Sequence, residues 1–441
     1  MPAEIVRGGK LVPALPCQQR LPGRSLLPVM AIFLCGRTGQ GRIAVYNVGL
    51  FCGNLTNLDV PMKKTTSILL AATLSLASLA QAATAFVPPV PEIAGKAYYL
   101  TDYQSGTVVA ARDADSRIEP ASLTKLMTAY LTFKALREKR LSMDQTLTVS
   151  HSGWQEEGSR MFLDPKHPAK VDDLVKGMIV QSGNDACITL AEAIAGSEQV
   201  FAQMMTAEAK RLGMANTQFR NATGLPDPQH YTTVHDLGIL ASAIVRDYPE
   251  YYPIYSMKSF TYNNITQPNR NLLLYRDPNV DGMKTGHTAS AGFNLIASSH
   301  RDGRRVISVV VGTASEEARA VESSKLLNYA LQFFETPKLY TAGKAVKEVP
   351  VYKGASKLLT VGFARDVFVT VPRGQAGQLK AQLSTTQPLI APVKAGQVVG
   401  KLSVSLDGKV VAEQPVVALQ PVEQGGFLSR LWDSIKLWLG W

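Results

Sequence analysis

The spacing of apolar positions along the 441-residue chain changes several times, and each change predicts a different kind of element. Tyr98-Tyr99-Leu100-Thr101 and Thr107-Val108-Val109 flank Asp102-Tyr103-Gln104-Ser105-Gly106, two β-prone runs around a turn, which predicts a hairpin. From about residue 120 to 245 the apolar residues recur every three or four positions, as in helices packed on a core. Strand-like runs at 293–297 and 306–311 follow a glycine-rich stretch, and an amphipathic helix over about 316–334 comes next. Strands at both ends with helices between them predict an α+β domain over 86–336, an antiparallel sheet covered by helices.

Between 337 and 421 short valine-rich runs, such as 367–371 and 402–406, are punctuated by glycine and proline, which predicts a small all-β domain. It shows no constellation of Asp, Glu and His, so no chemistry is assigned to it. Residues 425–441 form a last helix in which Phe427, Leu428, Leu431, Trp432, Ile435, Trp438 and Leu439 share one face, opposite Arg430, Asp433 and Lys436. Its tryptophans suit a water–lipid boundary, and it is too short and too charged to span a bilayer, so it is expected to lie on a membrane surface. Docking of that helix onto its own protein is the competing reading.

The start of the chain has another character. Met62-Lys63-Lys64, an apolar run over 68–79 and Ala80-Gln81-Ala82 read as a secretory signal peptide over 62–82, with Ala85 as the alternative cut, and the run is too short for a membrane span. Residues 1–61 show no sustained period and are expected to be a non-native upstream extension, with Met62 the true start. Phe86-Val87-Pro88-Pro89-Val90-Pro91 is an extended lead-in, because proline holds the backbone away from helix.

Composition then narrows the function classes. The chain is 46% hydrophobic and 18% charged, an ordinary globular balance. Its net charge of +11 raises nucleic acid as a partner. Residues 1–82, however, hold eight of the 46 basic and two of the 35 acidic residues, which leaves 38 against 33 in the remainder, and the nucleic-acid reading weakens. Cys17, Cys35 and Cys52 lie upstream and Cys187 stands alone after the cut, so the exported part has no internal disulfide.

Three short motifs carry candidate chemistry. In Pro120-Ala121-Ser122-Leu123-Thr124-Lys125, Ser122 and Lys125 are three apart on a predicted helix and therefore neighbours. A serine hydroxyl needs a base to become a nucleophile, and a buried lysine can serve because desolvation lowers its pKa. Average composition yields about one or two Ser-x-x-Lys by chance in such a chain, so the spacing alone decides nothing, and a solvated helix pair is the bland alternative. Ser182-Gly183-Asn184, between two helical patterns, offers a hydroxyl to relay a proton and an amide to hold a carbonyl; a helix cap is its alternative. Lys284-Thr285-Gly286-His287 follows an edge-strand pattern, where Gly286 would let a substrate backbone lie against the strand while Lys284 and Thr285 receive a carboxylate. The alternative there is a lysine protecting an exposed edge. Thr233-x-x-Asp236 reads as a capping box that absorbs His235, and Cys187 as helix core.

In this order, with 60 residues from Ser122 to Ser182 and 102 from Ser182 to Lys284, the motifs resemble those of the low-molecular-mass penicillin-binding proteins, serine-type D-alanyl-D-alanine carboxypeptidases, over roughly residues 88–441. That resemblance implies Ser122 as nucleophile, Lys125 as general base and Ser182 as proton relay. It further implies Asn184 on the acyl amide, the backbone N–H of His287 at the oxyanion, and Lys284, Thr285 and Arg319 on the terminal carboxylate. Arg270 is a weaker candidate for that carboxylate. No cofactor or metal is expected; the implied partners are peptidoglycan stem peptides and β-lactams acting as covalent inhibitors. The implied place is the periplasmic side of a bacterial inner membrane, with a part in cell-wall biogenesis and cell shape. A wall-binding protein with weak catalysis, an endopeptidase or a β-lactamase of the same fold remain alternatives. No Glu-x-x-Leu-Asn occurs between Ser182 and Lys284, which speaks against fast penicillin hydrolysis.

Overall fold

A computed structural model describes residues 87–439, together with the backbone of four short strands further upstream. Those strands pair as Ile5–Arg7 with Lys10–Val12 and Phe33–Arg37 with Ile43–Asn47. The rest of the extension expected over 1–61, and the signal peptide expected over 62–82, lie outside the described residues.

The first domain is built on strands Ala97–Asp102 (β1), Val108–Arg112 (β2), Val280–Thr288 (β3), Gly292–Arg301 (β4) and Arg304–Thr313 (β5). They form one antiparallel sheet in the order β3-β4-β5-β1-β2, closed where β5 pairs with β1 from Val306↔Asp102 to Val311↔Ala97. The near-continuous apolar run of β5 follows from burial on both faces. Ile307, Val309 and Val311 point into the larger core, shared with helices Lys125–Arg137 (α1), Val171–Val180 (α2), Asn184–Ala195 (α3), Glu198–Leu212 (α4) and Val234–Asp247 (α5). Val306 and Val310, with Leu100 and Leu295, face Leu326, Leu327 and Ala330 of helix Glu316–Phe333 (α6). Successive strand residues alternate between the faces, so each helical layer meets its own apolar set.

Helix starts follow local chemistry. The hydroxyls of Ser197, Thr233 and Ser315 accept from backbone N–H groups three residues on, satisfying donors that the first turn leaves open. The expected capping box at Thr233 is half made. Thr233 Oγ1 accepts from Asp236 N at 3.0 Å, but the Asp236 carboxylate turns away to accept from Asn216 N and Thr217 Oγ1. His235 pairs with Asp115 at 2.9 Å and stacks on Tyr99.

The chain enters the second domain at Phe334–Glu335, which pairs with Val371–Pro372. Its main sheet is antiparallel in the order Lys347–Pro350, Leu358–Gly362, Lys409–Ala418, Val398–Leu406, Lys380–Thr385, around a core that includes Val349, Val361, Phe363, Leu402 and Val416. A buried carboxylate ties the domains together. Asp102 accepts from Arg304 Nε and Thr336 Oγ1, each at 2.7 Å, and the hydroxyls of Thr336 and Ser105 both reach Thr370 Oγ1. A buried charge is tolerated when it is paired and hydrogen-bonded in this way.

The last described element is helix Phe427–Leu439 (α7). Its polar side docks on the second domain: Asp433, buried, accepts from Lys353 N at 2.5 Å and Lys357 Nζ at 2.8 Å. The apolar side faces outward, with Phe427, Leu428, Trp432 and Trp438 all more than half exposed. The helix therefore does dock on its own protein, but through the face opposite the one that reading would bury.

Candidate active site

Ser122 does not sit on the α-helix its spacing predicts. It lies in a 3-10 turn, Ala121–Thr124, that runs into α1 at Lys125. Residues three apart are eclipsed in a 3-10 turn, so the two side chains still meet. Lys125 Nζ donates to Ser122 Oγ at 2.9 Å and to the carbonyl of Thr223 at 2.6 Å. Lys125 is 1% exposed, which rules out the solvated-pair alternative. Burial, with a smaller contribution from the Arg270 charge, lowers its amine from the ordinary 10.5 to about 8.

The 182–184 segment joins α2 to α3. Ser182 has a φ of +72°, a conformation a serine adopts only when its surroundings impose it. Its hydroxyl is buried and makes no hydrogen bond among the described residues. The helix-cap alternative does not hold, because the N-cap of α3 is Gly183 and no side chain caps it. Asn184 opens that helix; its Nδ2 donates to the carbonyl of Glu157 while its Oδ1 has no partner among the described residues. The neighbouring Asp185 accepts from Met161 N and Leu163 N at 3.0 and 3.1 Å, which holds the 157–163 loop beside Asn184.

Lys284 and Thr285 lie on β3, the edge strand of the sheet, so one side of that strand has no strand partner among the described residues. Lys284 is 3% exposed and donates to the carbonyl of Thr285 at 3.1 Å, so it does not guard a solvent-facing edge. Burial first, then repulsion from Lys125, Arg270 and Arg319, pushes its amine well below the ordinary range. Gly286 has a packing reason beside the expected one. A Cβ there would stand 3.1 Å from Pro120 O and 3.3 Å from Leu123 N. The missing side chain also lets the strand close on the Ser122 turn. His287 is exposed, its ring stacked on Phe293 with centroids 4.0 Å apart.

Arg319, on the first turn of α6, is 2% exposed, with Glu316 at 3.3 Å and the Phe293 ring beside its guanidinium. Burial lowers its pKa. Arg270 is exposed, donates to Ser159 Oγ at 2.7 Å, and offers its carbonyl to Arg319. Lys125, Lys284, Arg270 and Arg319 thus lie close enough for Arg270 to repel each of the other three and for Lys284 to be repelled by Lys125 and Arg319, an arrangement that favours an anionic guest. Cys187 is core: fully buried, its thiol is pushed up to about 12 by burial, and its Sγ donates to Gly183 O.

Residues 82–315 match the family described as D-alanyl-D-alanine carboxypeptidase, and 334–424 match the C-terminal domain of penicillin-binding protein 5. The D-alanyl-D-alanine carboxypeptidase DacC of Escherichia coli is 42% identical over 362 residues, 79% of this chain and 90% of that protein. The chain belongs to the D-alanyl-D-alanine carboxypeptidase family. Among solved structures, penicillin-binding protein 5 from Haemophilus influenzae superposes with a TM-score of 0.74 at 42% identity, covering 77% of this carboxypeptidase and 100% of that chain. Penicillin-binding protein D2 of Listeria monocytogenes in its ampicillin-bound form, 30% identical, gives a TM-score of 0.52 over 56% of this chain and 100% of that one. The two-domain α+β layout and the serine D-Ala-D-Ala carboxypeptidase activity expected from the sequence both stand on these matches. Sequence reading passed over three parts of the carboxypeptidase site: the Thr223 carbonyl, the Asp185 carboxylate and the 157–163 loop. The Asn221-Ala222-Thr223-Gly224 turn signal could have drawn attention to the first; nothing local marks Asp185.

Proposed function

We propose that this carboxypeptidase removes the terminal D-alanine from peptidoglycan stem peptides with Ser122 as nucleophile and Lys125 as general base. The observation that carries the assignment is the 2.9 Å contact between Lys125 Nζ and Ser122 Oγ, made by an amine that burial lowers to about 8. Lys125 takes the Ser122 proton as Oγ attacks the carbonyl of the penultimate D-Ala. The developing oxyanion is received by the backbone N–H groups of Ser122 and His287. Ser182 passes a proton to the leaving amine of the terminal D-Ala, Asn184 holds the acyl amide, and water then hydrolyses the ester on Ser122. The terminal carboxylate lies against Lys284, Thr285 and Arg319, where an anion relieves the repulsion among buried cations. A β-lactam carries a carboxylate and an acyl carbonyl in like relation and acylates Ser122, in keeping with the ampicillin-bound relative.

The same proposal places the mature enzyme on the periplasmic side of the inner membrane after cleavage following Ala82, held by α7, whose outward apolar face supports that reading. Ser122→Ala tests the chemistry: release of D-Ala from a D-Ala-D-Ala peptide and covalent labelling by a fluorescent penicillin should both vanish. Retained D-Ala release would sink the assignment. Deleting 427–441 tests the anchor, because the truncated protein should leave the membrane fraction, and continued sedimentation with membranes would refute it.

A further inference from the structure

The three motifs do not account for how Lys125 is held. Among the described residues its ammonium end has two partners, Ser122 Oγ and the Thr223 carbonyl, and the second is the shorter contact at 2.6 Å. That carbonyl belongs to a turn in which five backbone groups, Ala222 N and O, Thr223 N and O and Gly224 N, are hydrogen-bonded. Asn221 Oδ1 accepts from Gly224 N at 2.7 Å and from Thr223 N and Thr223 Oγ1 at 3.3 Å, while Asn221 Nδ2 donates to Leu225 O at 2.9 Å. Ala222 N donates to Glu198 Oε1 at 2.8 Å, and Ala222 O accepts from Thr128 Oγ1 at 2.7 Å, one helical turn along α1 from Lys125. Gly224 has a φ of +88°, and a Cβ there would overlap the Ala121 carbonyl, so the turn also abuts the residue before Ser122.

From this arrangement we infer that the 221–224 turn is a fourth element of the active site, and that Asn221 is the positioning residue that sets it. The inference rests on Lys125 being the base. An unrestrained amine rotates about its Cε–Nζ bond and points its lone pair at the Ser122 hydroxyl only part of the time. By accepting one N–H, the Thr223 carbonyl fixes the rotation of the amine, so that its remaining face addresses Ser122 Oγ. The same contact closes the pocket around the nitrogen and preserves the desolvation that lowers its pKa. Asn221 acts through the turn and touches neither substrate nor Ser122.

The test compares Asn221→Ala and Asn221→Asp in the full-length protein, with acylation by fluorescent penicillin and turnover of a D-Ala-D-Ala peptide followed over pH 6–10. Asn221→Ala should lower the acylation rate about 10- to 100-fold, the scale of a misplaced catalytic group, with the peptide KM within about twofold of wild type. Its acid limb should move above the wild-type position near pH 8, because a loosened turn admits water to Lys125. Asn221→Asp keeps the oxygen that accepts from Gly224 N but loses the Nδ2 donor to Leu225 O, and should recover part of the rate. Wild-type rate and wild-type pH limb in a folded Asn221→Ala protein would overturn the inference. If that variant does not fold, Thr128→Val decides, since it removes only the hydroxyl that holds Ala222 O: a smaller shift in the same direction supports the inference, and an unchanged limb and rate refute it. Failure of the base assignment itself would show differently, as acylation surviving in Lys125→Met.

Discussion

Lys125 carries a conflict between stability and chemistry that can be measured. Its amine falls from 10.5 to about 8 mainly because it is buried, and a displacement of that size corresponds to about 3 kcal/mol between the two protonation states. Below pH 8 the lysine is protonated whether the chain is folded or not, so the folded protein bears the whole burial penalty. Between 8 and 10.5 the folded state releases the proton while the unfolded state keeps it, and stability rises with pH; above 10.5 both are neutral and the penalty is gone. Lys125→Met retains the apolar stem and removes the charge. It also leaves the Thr223 carbonyl without its donor, a loss of about 1 kcal/mol or more at every pH.

The stability of Lys125→Met relative to wild type should therefore change with pH, becoming about 3 kcal/mol more favourable to the variant as pH falls from 11 to 7. Urea unfolding of both proteins at several pH values measures it. Lys284 titrates in both, and in the variant it is freed of repulsion from Lys125, which adds in the same direction. The gain should come with loss of acylation. At pH 7 an amine at 8 is neutral in about one molecule in ten, against about one in 3,000 for an ordinary lysine, and it is the neutral form that takes the serine proton. A stability difference that stays flat from pH 7 to 11, or wild-type acylation whose acid limb lies near 10.5, would refute the reasoning.

Three other outcomes follow from the geometry. Ser182→Ala removes a buried hydroxyl with no partner among the described residues, so unfolding should be unchanged or shifted up by about 1 kcal/mol while D-Ala release falls about 10²- to 10⁴-fold; a loss of stability with activity kept would contradict the relay role. Arg319→Ala should lower kcat/KM on a peptide with a free terminal carboxylate far more than on its C-terminal amide; equal losses on the two substrates would remove Arg319 from carboxylate binding. Asp433→Ala breaks the contacts to Lys353 N and Lys357 but leaves the apolar face of α7 intact; vesicle binding should persist while amide exchange over 427–439 in the lipid-free protein speeds up at least tenfold, and unchanged exchange would show that Asp433 does not hold the helix.

The chemistry was legible wherever it depends on residue types at short range. Ser122 and Lys125 are three residues apart, and any tight right-handed turn brings such a pair together, so mistaking a 3-10 turn for an α-helix did not alter their meeting. The hairpin at 97–112, the apolar run of β5 and the amphipathic pattern of α7 were likewise written in residue spacing, because side-chain direction follows local backbone geometry.

What the chain sequence could not decide by itself was burial and long-range company. That Lys125 and Lys284 are titrated down, that Gly286 serves the Ser122 turn, that the Thr223 carbonyl holds the base and that α7 docks by its polar side all depend on segments distant in the chain. Desolvation and close approach are properties of the packed interior, where neighbours some hundred residues away set the dielectric and the free space around each group. Spacing along the chain records which groups are on offer; only the assembled sheet and helices determine which of them leave water together.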